Sequence, residues 1–129
     1  MSYDKSIVVK APLDVTVERV RAALKEQGFG VLTEIDMAAT LQAKLGEAME
    51  DYVVLGACNP PLAHRALGVD RSIGLLLPCN VVVRSSDDGT LVEALDPQVM
   101  VELTGHEALA PVAEQAGRRL DAALAALES

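Results

Sequence analysis

The feature that most constrains the fold of this chain is a pair of apolar stretches separated by a clear helix start. Tyr52–Cys58 is almost purely apolar, which is typical of a strand that is covered or flanked on both sides. Asn59 and Pro60 then predict a short helix, because asparagine caps the first turn and proline loses no hydrogen bond there. After Pro78, residues 79–83 resume a strand. The rest of the chain is expected to be organised around these two strands.

Three further strands are predicted from short β-branched or apolar segments. Residues 6–9 predict the first strand of the chain, and residues 29–35 predict the second. Residues 90–95 are expected to pair with the preceding strand as a hairpin, across a turn at residues 85–89.

Helices are predicted where apolar residues recur at helical spacing between capping and glycine signals. Asp14 is expected to cap the first helix, and Asp36 is expected to cap a shorter second one. Gly68 is expected to stop the helix that begins after Asn59, because glycine commonly ends a helix in the left-handed conformation.

Two more helices lie toward the end of the chain. Asp96 and Pro97 mark a short one around residues 99–103, and a long one has Pro111 in its first turn. Hairpin-linked strands with long helices near each end indicate the α+β class. The expected fold is an antiparallel sheet of about four to five strands, with two long helices packed on one face and short connecting helices. Residues 1–129 are expected to form a single such domain.

The balance of charge argues against two classes of partner. Eleven basic and nineteen acidic residues give a formal net charge of −8, whereas non-specific affinity for nucleic acid comes from lysine and arginine. The aromatic residues are only Tyr3, Phe29 and Tyr52, so stacking platforms for single strands are scarce as well. The same acidity disfavours anionic membrane surfaces. Neither nucleic acid nor a membrane is therefore expected as a partner.

The expected location is the cytoplasm. The N-terminal segment has no basic region followed by a long apolar run, so no signal peptide is predicted. The longest apolar run is too short to span a bilayer. In a reducing compartment, two cysteines remain thiols unless they serve redox or metal chemistry.

The two cysteines define the principal candidate site. If the strand that ends at Cys58 pairs antiparallel with the strand that begins at Cys79, both thiols reach one edge of the sheet. His64 lies five residues past the Asn59 cap, where it can fold back toward the strand end. Two thiolates and an imidazole suit zinc or another thiophilic metal, with water, a carboxylate or a partner subunit as the fourth ligand.

Two other interpretations of the cysteines stay open. The helix N-terminus just after Cys58 would help to lower a thiol pKa, as a thiol-based oxidoreductase or redox sensor requires. The spacing to Cys79 is not Cys-x-x-Cys, so a thioredoxin-like motif is absent. Alternatively, both cysteines are small buried hydrophobic residues in apolar strands. No residues form an established catalytic signature, so the sequence does not decide whether the protein is an enzyme.

Four polar side chains are candidates for ligand binding. Asn59 and Asn80 each follow a cysteine and would orient hydrogen bonds in a small-ligand site, with turn and cap chemistry as the alternative. Glu34 and Asp36 lie two residues apart and project to the same face of an extended strand, where they would ligate a metal or share a proton. Capping by Asp36 and a solvated Glu34 are the alternative. His106 is expected to be a surface or capping residue.

Residues 29–36, residues 55–60 with His64, and residues 77–81 together carry a resemblance to a known family. In this order, the three motifs resemble the small bacterial and archaeal family called domain of unknown function 302, and the likeness spans nearly the whole chain. The resemblance implies an α+β fold of the TATA-binding-protein-like type, one domain per chain, and dimers. It implies no established activity, and the fold name carries no suggestion of DNA binding.

These observations predict a cytosolic homodimeric binding domain with a small-ligand or metal site formed by Cys58, His64 and Cys79. A thiol-based oxidoreductase or redox sensor that uses Cys58 and Cys79 is the second hypothesis. The third is a protein-interaction module whose exposed valine and leucine surface forms a dimer or partner interface.

Overall fold

A five-stranded antiparallel sheet forms the centre of the structure. The computed structural model describes residues 2–128. The strands are β1 (Asp4–Val9), β2 (Gly30–Asp36), β3 (Tyr52–Cys58), β4 (Cys79–Ser86) and β5 (Gly89–Leu95). They lie in the order β1-β5-β4-β3-β2, and each neighbouring pair is antiparallel. The predicted α+β class is confirmed, with five strands in the sheet.

Five α-helices and two short 3-10 helices join the strands of the described chain. The helices are α1 (Leu13–Glu26), α2 (Met37–Leu45), α3 (Pro60–Val69), α4 (Gln98–Thr104) and α5 (Ala110–Ala126), and the 3-10 segments are Arg71–Leu76 and Glu107–Leu109. Across residues 2–128, none of the helices has both the length and the apolar character that crossing a membrane requires.

Two of the expected helix boundaries are wrong. The helix α1 begins at Leu13, with Pro12 at its N-cap, so Asp14 lies inside the first turn. The earlier start lets Leu13 pack against the hydrophobic core. Gly68 does not end α3, because it does not adopt the left-handed conformation, and the helix continues to Val69.

The helices α1 and α5 pack together over one face of the sheet, which we call the inner face. Alternate residues of the strands point to this face and are buried beneath the apolar sides of the two helices. The buried strand residues are Val9, Val53, Leu55, Ala57, Val81, Val83, Val92 and Ala94. A second buried cluster joins α3, α4 and the N-terminal half of α5, and its members include Leu62, Ile73, Met100 and Leu109.

The other set of alternate residues forms the outer face of the sheet. The strand registers assign to this face Asp4, Ser6, Val8, Gly30, Thr33, Ile35, Tyr52, Val54, Gly56, Cys58, Asn80, Val82, Arg84, Ser86, Gly89, Leu91, Glu93 and Leu95. All of these residues except Gly56 are half-buried or exposed, whereas the strand residues in the core of the inner face are buried. The two long helices therefore cover one face of the sheet only.

The edge strand β2 is interrupted by a bulge. Its pairing with β3 shifts between Val31 and Thr33, which leaves Leu32 as an extra residue. The Leu32 side chain is 65% exposed. Beyond the bulge, Glu34 of β2 forms an ion pair with Arg21 of α1.

Gly56 is buried on the outer face because two neighbours close over it. A Cβ atom at this position would collide with Thr33 Oγ1 and would lie 2.9 Å from Pro78 Cγ. The ring of Pro78 cannot rotate away from this contact. The close approach of β2 and of the segment before β4 therefore requires glycine at position 56.

We expect Gly56→Ala to destabilise the protein by about 1–3 kcal/mol, because the added methyl group overpacks this contact. Gly30→Ala is the matched control: Gly30 lies in the neighbouring strand, and a Cβ atom there would have nothing within 4 Å. Urea unfolding of both variants measures the difference. Equal midpoints for the two variants would contradict the packing argument.

Candidate functional site

The structure brings the two cysteines to the same end of the sheet. The strands β3 and β4 are antiparallel, and Ala57 is the register partner of Cys79, so Cys58 lies one residue farther along. Both cysteines line a cavity of about 20 Å³, together with Phe29, Leu62, Met100 and Val112 among others. This volume is close to that of a single water-sized sphere. The cavity therefore holds at most one atom-sized occupant.

The two thiols are nonetheless not arranged as a redox pair. Residues paired across an antiparallel ladder share a face, so Cys79 lies on the inner face with Ala57, and the strand alternation directs Cys58 to the outer face. Both cysteines are free. The strand pairing therefore does not present the two thiols side by side on one face of the sheet.

The environment of Cys79 also keeps its sulfur unreactive. The residue is 8% exposed. Burial, with a smaller contribution from the neighbouring Cys58, raises the pKa of the Cys79 thiol to about 11. Because the thiolate is the nucleophile and the metal ligand, a thiol with this pKa is inert at neutral pH.

His64 does not join the two cysteines. Leu62 and Ala66 face the core, and His64 lies two residues from each of them, so helical geometry turns its ring to the exposed side of α3. It does not line the cavity. Within the described part of the chain, no three histidine, cysteine, aspartate or glutamate side chains are grouped so that they could hold a metal ion.

Three of the four polar candidates are engaged in structural hydrogen bonds or ion pairs. Asn59 caps α3 by accepting a hydrogen bond from Leu62 N–H at 3.3 Å, and Asp36 caps α2 in the same way. Glu34 lies on the same side of β2 as Asp36, as the spacing predicts, but it pairs with Arg21. The cap interpretation of Asn59 and Asp36 therefore accounts for both residues.

The fourth polar candidate, Asn80, lies on the outer face, at a shallow depression of about 260 Å³. The wall of the depression is formed by polar and aromatic side chains, among them Tyr3, Tyr52 and Glu93, over the apolar Val82. Tyr3 and Asn80 are exposed. The depression can accommodate an inserted apolar group and provides hydrogen-bonding atoms around it.

An ion-pair cluster flanks the depression. Arg84 Nε donates a hydrogen bond to Glu93 at 2.9 Å, and Arg84 Nη1 lies 3.8 Å from Glu50. The hydrogen bond to Glu93 is the main reason that the pKa of Arg84 is raised further above its ordinary value. Sequence reasoning did not single out Tyr3, Arg84 or Glu93. The available signal was the alternation of side-chain direction along β5, which places Glu93 on the face opposite to Val92 and Ala94.

His106 lies on the surface, as expected. It precedes the second 3-10 helix, and its Nε2 atom lies 3.3 Å from a carboxylate oxygen of Asp70. Asp70 in turn accepts a hydrogen bond from Ser72 N–H. The pair links the end of α3 to the segment before the second 3-10 helix, and neither residue belongs to the sheet.

The strand order, the two long helices on one face and the loop segments around Cys58 and Cys79 define a small α+β domain. The family model described as Domain of unknown function DUF302 matches residues 5–127. The crystal structure of an uncharacterized conserved protein DUF302 from Bacillus stearothermophilus is similar to this chain, with 30% sequence identity and a TM-score of 0.91. That similarity covers 98% of each chain. A comparison with curated proteins finds no match.

This chain therefore belongs to the DUF302 family. The resemblance carried by the three sequence motifs is confirmed.

We expect the burial of Cys79 to make the protein less stable at high pH. In the unfolded chain the thiol ionises near pH 9, whereas in the folded chain it stays protonated up to about pH 11. Unfolding therefore releases a proton in this window, and the free energy of unfolding falls as the pH rises, by roughly 3 kcal/mol from this group.

Denaturant unfolding at a series of pH values measures this dependence. Cys79→Ala is expected to lose the contribution, while Cys58→Ala is expected to keep it. An unchanged pH profile in Cys79→Ala would contradict the raised pKa.

Proposed function

We propose that this protein is a cytoplasmic binding domain that works as a homodimer, with the outer face of the sheet as the surface through which two copies associate. The observation that carries the proposal is that α1 and α5 cover only the inner face, while apolar residues of the strands stay accessible on the outer face. Ile35, Val54 and Val82 are direct neighbours across three strands, and exposed apolar patches of this kind mark interaction sites on proteins.

The composition of the outer face supports pairing with another protein surface. Six of its residues are valine, isoleucine or leucine: Val8, Ile35, Val54, Val82, Leu91 and Leu95. Tyr3 and Tyr52 stand beside them at the depression. Apolar and aromatic side chains with a polar rim are the usual composition of a binding surface, and tyrosine is enriched among its strongest contacts.

The size of the outer face is adequate for a dimer. Five strands about 4.8 Å apart and about six residues long present roughly 500 Å² in projection. Two copies together therefore contribute roughly 1,000 Å², which is the lower bound for a specific interface. A two-fold axis places the same patch on both partners, so that the exposed ring of Tyr3 is available to the depression of the other copy.

Charge sets the conditions under which the copies associate. Each chain carries a formal net charge of −8, so two copies repel one another through water. Salt screens this repulsion over a Debye length of about 8 Å at physiological ionic strength. An association driven by apolar burial therefore strengthens when salt is added.

The metal and redox hypotheses receive less support. His64 is exposed and does not line the cavity, Cys79 is buried with a raised pKa, and the strand alternation assigns Cys58 and Cys79 to different faces. Both cysteines are free, which fits the reducing cytoplasm.

Sedimentation equilibrium tests the proposal. We expect the wild-type chain to sediment at twice its mass of 13.6 kDa. Val82→Lys is expected to shift the protein to the monomer, because it places a charge in the middle of the apolar surface. The lysine would lie directly across from Glu93, so the variant should retain its fold, and circular dichroism checks this.

Leu75→Lys is the matched control, since Leu75 is 89% exposed and lies outside the sheet. It should leave the dimer unchanged. A monomeric wild-type chain, or a Val82→Lys variant that stays dimeric as a folded protein, would overturn the proposal.

A further inference from the structure

A group of arginines on the helical side of the protein is unusual for a chain of this charge. Three of its eleven basic residues, Arg65, Arg118 and Arg119, gather where α3, α5 and the end of α1 meet. The depression at this place has a volume of about 290 Å³ and is lined by Gln27, Gln115, Arg118 and Arg119. No carboxylate lines it, although the chain contains nineteen acidic residues.

Helical spacing explains how α5 builds most of this depression. Gln115, Arg118 and Arg119 occupy positions i, i+3 and i+4, so their side chains project from one face of the helix. Arg119 Nη1 donates a hydrogen bond of 3.2 Å to the carbonyl oxygen of Gln27, just past the end of α1. This contact holds the Arg119 guanidinium in place and leaves its other N–H groups available.

The hydrogen bonds among these residues leave mainly donors at the surface. Arg65 Nη1 donates to Gln115 Oε1 at 3.2 Å, which fixes the orientation of the Gln115 amide and leaves its NH₂ group free to donate. Arg118 has one acidic partner, Glu114, at 3.6 Å, and both side chains are largely exposed. Three guanidinium groups with one carboxylate beside them leave a local charge of about +2.

We propose that this depression binds the phosphate group of a small ligand. A dianion neutralises the local charge, and the guanidinium groups of Arg118 and Arg119, with Arg65 beside them, supply the N–H donors that bind phosphate oxygens. The site is independent of the outer face, because α1 and α5 lie on the inner side of the sheet. Its failure would therefore leave the proposed dimer untouched.

Inorganic phosphate is the probe for the test. Phosphate is titrated into ¹⁵N-labelled full-length protein at neutral pH, with sodium chloride adjusted to hold the ionic strength constant. We expect saturable shifts of the side-chain amide signals of Gln115 and Gln27. Acetate in the same titration is expected to bind more weakly.

Two variants with opposite effects make the test specific. Arg118→Gln removes a guanidinium that has no partner other than Glu114 among the described contacts, and it should weaken phosphate binding about fivefold to tenfold. Glu114→Gln releases Arg118 from its ion pair and should tighten binding. Lys44→Gln and Glu47→Gln, at exposed positions in and just after α2, make the same changes in net charge and should leave binding unchanged.

Non-saturable shifts, acetate binding as tight as phosphate, or equal effects of Arg118→Gln and Lys44→Gln would each overturn the proposal. Unchanged binding in Glu114→Gln would overturn it as well, because the carboxylate would then not compete for the guanidinium.

Discussion

The structure depends on the burial of one face of the β3–β4 pair beneath two helices. Leu55, Val81 and Val83 are almost completely buried there, and α1 and α5 supply the aliphatic side chains that cover them. The core contains one aromatic ring, Phe29, so many small contacts between branched side chains replace a few large ones. Burying each such side chain stabilises the fold by about 1.5–3 kcal/mol.

The same layer determines what the cysteines can do. The strand β3 ends in one thiol and β4 begins with the other, so both cysteines lie at one end of the sheet, and Cys79 takes the core side. There, water is scarce and the charged form of a thiol is disfavoured. The close packing that stabilises the end of the sheet leaves room for about one small atom between Cys58 and Cys79. Chemistry at this site is therefore suppressed by the interactions that make the fold stable.

Local signals predicted the parts of the fold that depend on neighbours in sequence. Asn59 and Asp36 act as helix caps because the capping side chain and its N–H partner lie three residues apart. The antiparallel pairing of β3 with β4 is not a local feature of this kind: α3 and a 3-10 segment connect the two strands, and the sequence left their pairing as a condition of the cysteine site. The boundary at Gly68 was wrong because the glycine does not adopt the left-handed conformation, and the helical pattern continues past it with Asp70 N–H donating to Ala66 O at 3.1 Å.

The candidate site was harder to predict because its geometry depends on which face of the sheet or helix each side chain takes, and the order of the residues in the sequence does not fix that. Sequence order could bring Cys58 and Cys79 to one end of the sheet, but the register alone decides which face each side chain takes. His64 was misplaced for a similar reason: one residue along a helix rotates a side chain by about 100°, so a position near the cap does not fix its direction. The depression around Asn80 draws residues from four strands, and no local pattern marks it.

The bulge at Leu32 limits the ways in which a further strand can pair with the edge of the sheet. A sixth strand would need a regular ladder of hydrogen bonds along β2, and the extra residue breaks that ladder in the middle. Sideways growth of the sheet into a ribbon is therefore blocked at this border. In the proposed face-to-face dimer, each molecule buries its outer face against the other, so an assembly of that kind would close at two subunits instead of propagating as a fibre.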